Sequence, residues 1–185
     1  MKGNKKVCAI AGVRSKNLYG ISDNEKTCIL KDQLKNVMIY LIKEHEVRKF
    51  VCGLAPGIEL LSAELIIDIR NQNPGLQLQL ECVEAYEYQG RYYHTQQREW
   101  LRYQAVVDEC DKRTVLFERY LTDCESIHRK YLVDESDYII AVWNRLPGDH
   151  IGIVPYARLK ERPIIRINPE TMSITIPENW GSYGK

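Results

Sequence analysis

Apolar runs and amphipathic stretches alternate along this chain. Lys6-Val7-Cys8-Ala9-Ile10-Ala11-Gly12 is almost wholly apolar and stops on a glycine, as a strand covered on both faces does. Over positions 23–46 the period changes. Ile29, Leu30, Leu34, Val37, Met38, Leu41 and Ile42 recur at helical spacing, which predicts an amphipathic helix. Phe50-Val51-Cys52-Gly53 then reads as a second short buried strand. It breaks at Gly53, turns through Leu54-Ala55-Pro56, and enters a helix at Gly57 that carries Ile58, Leu61, Leu65 and Ile69 on one stripe. Asn73-Pro74-Gly75 is a stop signal for that helix.

Positions 76–83 alternate Leu-Gln-Leu-Gln-Leu before Glu-Cys-Val, predicting a third strand, and a polar, tyrosine-rich loop follows over 84–94. Helical spacing returns over 96–110. A short strand at 114–117, a helix at 123–133, a strand at 138–143, a short helix at 153–160 and a strand at 163–167 come next. The alternating run Met172-Ser173-Ile174-Thr175-Ile176 fits an antiparallel edge strand. Repeated strand–helix alternation predicts an α/β fold: a three-layer Rossmann-like sandwich with a mostly parallel sheet, spanning positions 1–185 as a single domain.

A sheet of this kind binds ligands beyond the carboxyl ends of its strands, where the strand order reverses. That rule gathers the 12–22 loop, the 53–57 turn, the 84–94 loop and the 144–152 loop. Arg14 and Lys16 bring cations, and the glycine turn brings backbone N–H groups and the positive end of a helix. Glu59 and Glu84 bring acceptors, and Tyr86, Tyr88, Tyr92 and Tyr93 bring stacking faces. The ligand this chemistry suits is flat, anionic and rich in hydroxyls, which describes a nucleotide.

Composition narrows the partners. The 26 basic and 25 acidic side chains leave a net charge of +1, which gives no general electrostatic reason to expect nucleic acid or an anionic membrane. The six cysteines are scattered without a Cys-x-x-Cys spacing, so neither a disulfide framework nor a metal site is expected. Met1 to Lys6 runs into the first strand without an apolar leader, and no run approaches the roughly 18 apolar residues that span a bilayer. The expected location is cytoplasmic. Twelve tyrosines stand against two phenylalanines, and those between Tyr86 and Tyr103 suit either base stacking or a contact between copies in a homo-oligomer.

Two segments carry a resemblance. Gly53-Leu54-Ala55-Pro56-Gly57-Ile58-Glu59 with Ala63-Glu64, and Arg129-Lys130-Tyr131-Leu132-Val133-Asp134-Glu135-Ser136-Asp137 running into Ile140-Ala141-Val142-Trp143, resemble the YpsA-like branch of the SLOG superfamily. These are Rossmann-like proteins related to DNA-processing protein A and the cytokinin-activating phosphoribohydrolases. Three departures stand beside it. Ala11-Gly12-Val13-Arg14-Ser15 replaces the branch's Thr-Gly-His-Arg-Pro, keeping the arginine. Gly148-Asp149-His150 stands where the branch has Gly-Gly-Thr, and Pro155 stands where the hydrolases carry their terminal glutamate.

The resemblance implies a bound nucleotide or nucleotide-sugar derivative, with no cofactor required. Gly12, Arg14, Gly53, Leu54, Gly57 and Gly148 are expected around its phosphate, Glu59 and Glu84 at ribose hydroxyls, Tyr86 or Tyr88 over the base, and Trp143 and Asn144 along the neighbouring strand end. The leading expectation is a sensor or sequestering module. The alternatives are an N-glycosidic hydrolase of a nucleoside phosphate or NAD-like substrate, with Glu59 or Glu84 catalytic, and a single-stranded DNA module, which the near-neutral charge disfavours.

Overall fold

The run at 6–12 forms the middle of the sheet because its residues must be covered on both sides. In the computed structural model, which describes residues 5–14, 25–93, 97–144 and 152–180, strand β1 (Lys6–Gly12) has Cys8, Ala9, Ile10 and Ala11 buried. It lies between β2 (Val47–Gly53) and β5 (Tyr138–Val142), parallel to both. β3 (Gln79–Glu84) and β4 (Lys112–Val115) extend the sheet beyond β2. β6 (Ile164–Ile167) and the two-residue β7 (Ile174–Thr175) extend it beyond β5. The order is β4-β3-β2-β1-β5-β6-β7, every pairing parallel except β6 with β7. The direction of winding therefore reverses between β1 and β5, and that gap is the switch point where sheets of this class hold ligands.

Helices cover both faces. α1 (Glu25–Glu44), α2 (Ile58–Gln72) and α4 (Gln97–Glu109) pack on one side, where their apolar positions join Phe50, Leu80, Ile140 and Ile165 in the larger core. α5 (Cys124–Asp134) and α6 (Ile153–Leu159) cover the other face over Ala9, Val51, Ile139 and Ala141. A five-residue helix, α3 (Gln89–Tyr93), lies within the segment expected to be a loop. α2 buries a wider face than its stripe predicts, adding Leu60, Ala63 and Ile66, because α1 and α4 flank it on either side. Leu60 and Ile66 each contribute roughly 1.5–3 kcal/mol of burial.

Strand starts differ from the pattern where charged side chains hide them. β2 begins at Val47, three residues before the apolar run, since the Arg48 guanidinium donates to the carbonyls of Ile42 and Val47 and Lys49 pairs with Glu81. β4 begins at Lys112, two residues early, as an edge strand whose charged start discourages further pairing. β3 begins late, at Gln79, because Pro74–Leu76 forms a 3₁₀ turn and Gln77 leaves it with φ 49°.

The buried carboxylate of Glu81 shows how the sheet manages a charge. Lys49 Nζ lies 2.6 Å and Lys112 Nζ 2.8 Å from its oxygens, and Thr114 Oγ1 and Tyr131 OH donate to Oε1. Burial alone would raise this carboxyl, but Lys112, Lys49 and Thr114 hold it down to about 2. Asp137, ahead of β5, accepts the Val7 N–H at 2.9 Å and so fixes the start of β1.

Candidate functional site

The glycine turn is built for close approach. Gly12 ends β1 directly against α2, and a Cβ there would run into the Cβ and both γ carbons of Ile58. Gly57 takes φ 115° and ψ −130°, a region that strains any L side chain, and from it α2 starts. The turn is also stitched to β1. Arg14 and Gly57 form an antiparallel bridge, Ile58 N–H donates to Val13 O at 3.3 Å, and Val13 N–H donates to Val142 O at 3.3 Å. Residues following β1, β2 and β5 are thus tied together at the switch point.

Glu59 lies in the first turn of α2, and its side chain folds back across the loop. Its Oε2 accepts the Ala55 N–H at 3.2 Å and sits over Gly53, where a Cβ would collide with it. Burial raises its carboxyl to about 7, against the Ala55 N–H and the cations of Arg14 and Arg129, with Glu125 adding to the rise. A carboxyl that is half protonated near neutral pH donates or accepts with little bias.

α5 supplies residues that were not singled out from the sequence. Its first turns face the same crevice with Glu125, His128 and Arg129. Arg14 Nη2 lies 3.8 Å from Glu125 Oε2. His128 is buried, its Cε1 close to where a Cβ on Gly53 would lie, and its Nε2 is 3.0 Å from Val83 O. A carbonyl only accepts, so Nε2 carries the proton and Nδ1 remains an acceptor. Burial lowers the His128 pKa, which keeps the ring neutral. Arg129 reaches Gly152 at the start of α6, where a Cβ would meet its Nε. The signal was present in the sequence: positions 125, 128 and 129 share a face at helical spacing, and a helix that follows a parallel strand begins at the carboxyl edge.

The remaining expected residues are dispersed. Leu54 is a core residue, 1% exposed. Glu84, expected at a ribose, is fully buried at the end of β3. Tyr103 OH donates to its Oε1 at 2.8 Å and Arg113 Nε to its Oε2 at 2.6 Å, so both oxygens are engaged away from the switch point. Tyr86 is buried edge-on against Tyr120, in a small cluster with Ala85 and Cys124. Tyr88, at φ 64°, is exposed and lines a separate groove of ≈ 240 Å³ beside α4, with Arg91 over its ring. Glu84 and Tyr88 thus belong to the β3–β4 side of the sheet, with β2 between them and β1. Trp143 continues β5 by donating its N–H to Ile167 O, but its ring joins the core under α6. Asn144 Nδ2 donates to Glu170 Oε1 at 2.8 Å. Gly148 lies outside the described residues, as do Lys16 and His150.

The arrangement that remains is compact: Gly12, Arg14, the Gly53–Gly57 turn, Glu59, Glu125, His128 and Arg129. It offers two guanidinium groups, two carboxyls and a neutral imidazole around the glycine turn. Among the described residues, no group of three or more His, Cys, Asp or Glu could hold a metal ion, and no helix is long and apolar enough to cross a membrane.

A search of curated proteins returned no match. The model of the YspA SLOG family (YpsA) matches residues 8–150, which runs from within β1 through β5 and takes in every residue gathered at the switch point. The chain therefore belongs to the YspA SLOG family.

Proposed function

We propose that the protein binds a nucleotide or nucleotide-sugar derived ligand in the crevice between the ends of β1, β2 and β5, as a sensor or sequestering module. Membership of the SLOG family suggests nucleotide-related ligand binding or processing. The observation that carries the finer reading is the pairing of opposite chemistries at the switch point. Arg14 and Arg129 suit phosphate oxygens, and the Glu59 carboxyl and His128 Nδ1 suit hydroxyl groups. In the free protein Glu59 occupies the Ala55 N–H itself, so the incoming ligand either hydrogen-bonds to the carboxyl or displaces it from that donor. Glu84, Tyr86 and Tyr88 have no part in this reading.

The test is a thermal-shift screen with mononucleotides, NAD, ADP-ribose and cyclic dinucleotides, with mass spectrometry of any small molecule that co-purifies. A ligand at 100 times its dissociation constant adds about 2.7 kcal/mol of stability. The shift should fall in Arg14→Gln. Silence across the panel, with nothing co-purifying, sinks the reading.

A second reading is favoured by one observation, the Glu59 carboxyl held at about 7. A general acid at that pKa would protonate a departing base at neutral pH, the first demand of N-glycosidic cleavage. Release of free base over time, abolished in Glu59→Gln while binding persists, would select catalysis over binding alone.

A further inference from the structure

A second concavity lies on the α6 face of the sheet, away from the glycine turn. It is a groove of ≈ 320 Å³ between α6 and the β5-β6-β7 end of the sheet, and its lining includes Trp143, Arg158, Arg162, Arg166, Pro163 and Thr175. Among its described lining residues there are three arginines and no carboxylate. Three guanidinium groups lining one small concavity repel one another, and the surrounding walls are largely apolar, with Ala141, Val154 and Ile164.

Two donors inside the groove lack an acceptor among the described residues. Trp143 Nε1 and Arg162 Nε are buried and have no hydrogen-bond partner among the described residues. Indole and guanidinium nitrogens donate and never accept, so whatever satisfies them must be an acceptor. A buried donor without an acceptor is destabilising, and native structures keep few of them. Two such donors in one arginine-lined groove point to a ligand rather than to chance. The planar guanidinium fork matches the geometry of phosphate oxygens, and the volume suits a small molecule rather than a polymer.

We propose that this groove is a binding site for a small phosphorylated ligand, held by Arg158, Arg162 and Arg166 with the Trp143 indole N–H. It is separate from the switch-point crevice. Arg14 and Glu59 take no part in it, so the proposal stands or falls independently of the nucleotide reading. Trp143 leaves the nucleotide site on this account, and its indole becomes a donor and reporter in the groove.

The experiment is isothermal titration of the purified protein with inorganic pyrophosphate, inorganic phosphate and citrate, followed in parallel by tryptophan fluorescence. Arg158→Gln is a conservative probe because Arg158 is exposed, and its fold is not at stake. Pyrophosphate should bind more tightly than phosphate or citrate. Its affinity should fall about tenfold in Arg158→Gln and further in Arg158→Gln/Arg162→Gln, as expected for loss of charge-assisted hydrogen bonds. Arg14→Gln should leave it unchanged, and the fluorescence response should vanish in Trp143→Phe. The proposal is overturned by absence of pyrophosphate binding to the native protein. It is equally overturned by binding that survives Arg158→Gln/Arg162→Gln or is lost in Arg14→Gln, by citrate binding as tightly as pyrophosphate, or by a fluorescence response that persists without Trp143.

Discussion

Glu59 and Glu84 stand at the carboxyl ends of neighbouring strands, β2 and β3, and from composition alone they are interchangeable acceptors. Their surroundings separate them. At Glu84 the sheet edge supplies Arg113 and Tyr103, so each carboxylate oxygen meets a donor in a fully buried setting. At Glu59 one backbone N–H serves the carboxylate directly, the nearest cations lie further out, and burial keeps the carboxyl at about 7. Satisfied buried charges hold a fold together, whereas an under-satisfied one beside the glycine turn is what the proposed ligand site would need. Glu81, two strand positions before Val83, makes the same point at the opposite extreme, with two lysines and two hydroxyls holding it ionised.

The comparison breaks most easily at Glu84. Glu84→Leu leaves Arg113 and the Tyr103 hydroxyl facing a wall that no longer accepts. Breaking a buried pair from one side typically costs about 3–5 kcal/mol. Urea unfolding should show a loss of that order, while affinity for the crevice ligand per folded molecule stays unchanged. A selective loss of ligand binding with intact stability would return Glu84 to the site.

Glu81 gives the next effect, through acid. Its folded pKa of about 2 lies below the ordinary 4.5, so its contribution is fully present above pH 4.5 and is lost as pH falls toward 2. A displacement of that size corresponds to about 3 kcal/mol. Stability followed from pH 6 to pH 2 should therefore decline less steeply in Glu81→Gln than in the native protein. Parallel curves would remove Glu81 from the account.

How far the chain could be read in advance follows the same division. The central strands were legible because β1 and β2 are apolar on both faces, and the α1 and α2 stripes because their period is unambiguous. β7 was legible from strict alternation, and the glycine turn from Gly53 and Gly57. The starts of β2 and β4 were hidden because Lys49, Lys112 and Arg113 look like loop residues until Glu81 and Glu84 lie across from them, and Arg48 until its guanidinium meets the carbonyls of Ile42 and Val47. Glu125, His128 and Arg129 were hidden because a crossover of three strands, from β4 at one edge to β5 beyond β1, brings α5 over the switch point. Local spacing puts these side chains on one face; only the strand order says what that face meets. The place of Trp143 at the end of β5 points to the crevice, but side chains alternate along a strand, and its ring falls on the α6 face.

Gly57 sharpens the comparison at the backbone. With φ 115° and ψ −130° the position admits an L side chain only with strain of roughly 1–3 kcal/mol. Gly57→Ala should lower the unfolding free energy by about that amount. Since Gly57 bridges Arg14 and opens α2, it should weaken ligand binding as well. A loss of stability with undiminished binding would mean that the turn shapes the fold and not the ligand site.

The smallest effect is the most diagnostic, because its sign is opposite. Glu59 has a folded pKa of about 7, above the ordinary 4.5, so the folded protein holds that proton more tightly than the unfolded chain does. Stability from this group is present below pH 4.5 and is lost as pH rises through 7, where ionisation of a half-enclosed carboxyl becomes a burden on the native state. Glu59→Gln removes the burden while keeping the shape and an acceptor for the Ala55 N–H. At pH 5 the variant and the native protein should unfold alike. At pH 8 the variant should be the more stable by about 1–2 kcal/mol, part of the full displacement being relieved by solvent at the open side. The same variant should bind the crevice ligand less well at pH 8, where Glu59 is largely ionised, since an amide is a weaker acceptor than a carboxylate for a hydroxyl. A protein that becomes more stable as it becomes worse at binding carries a residue kept for the ligand. If Glu59→Gln is instead destabilised at pH 8, Glu59 resembles Glu84 after all, and the distinction between the two carboxylates falls.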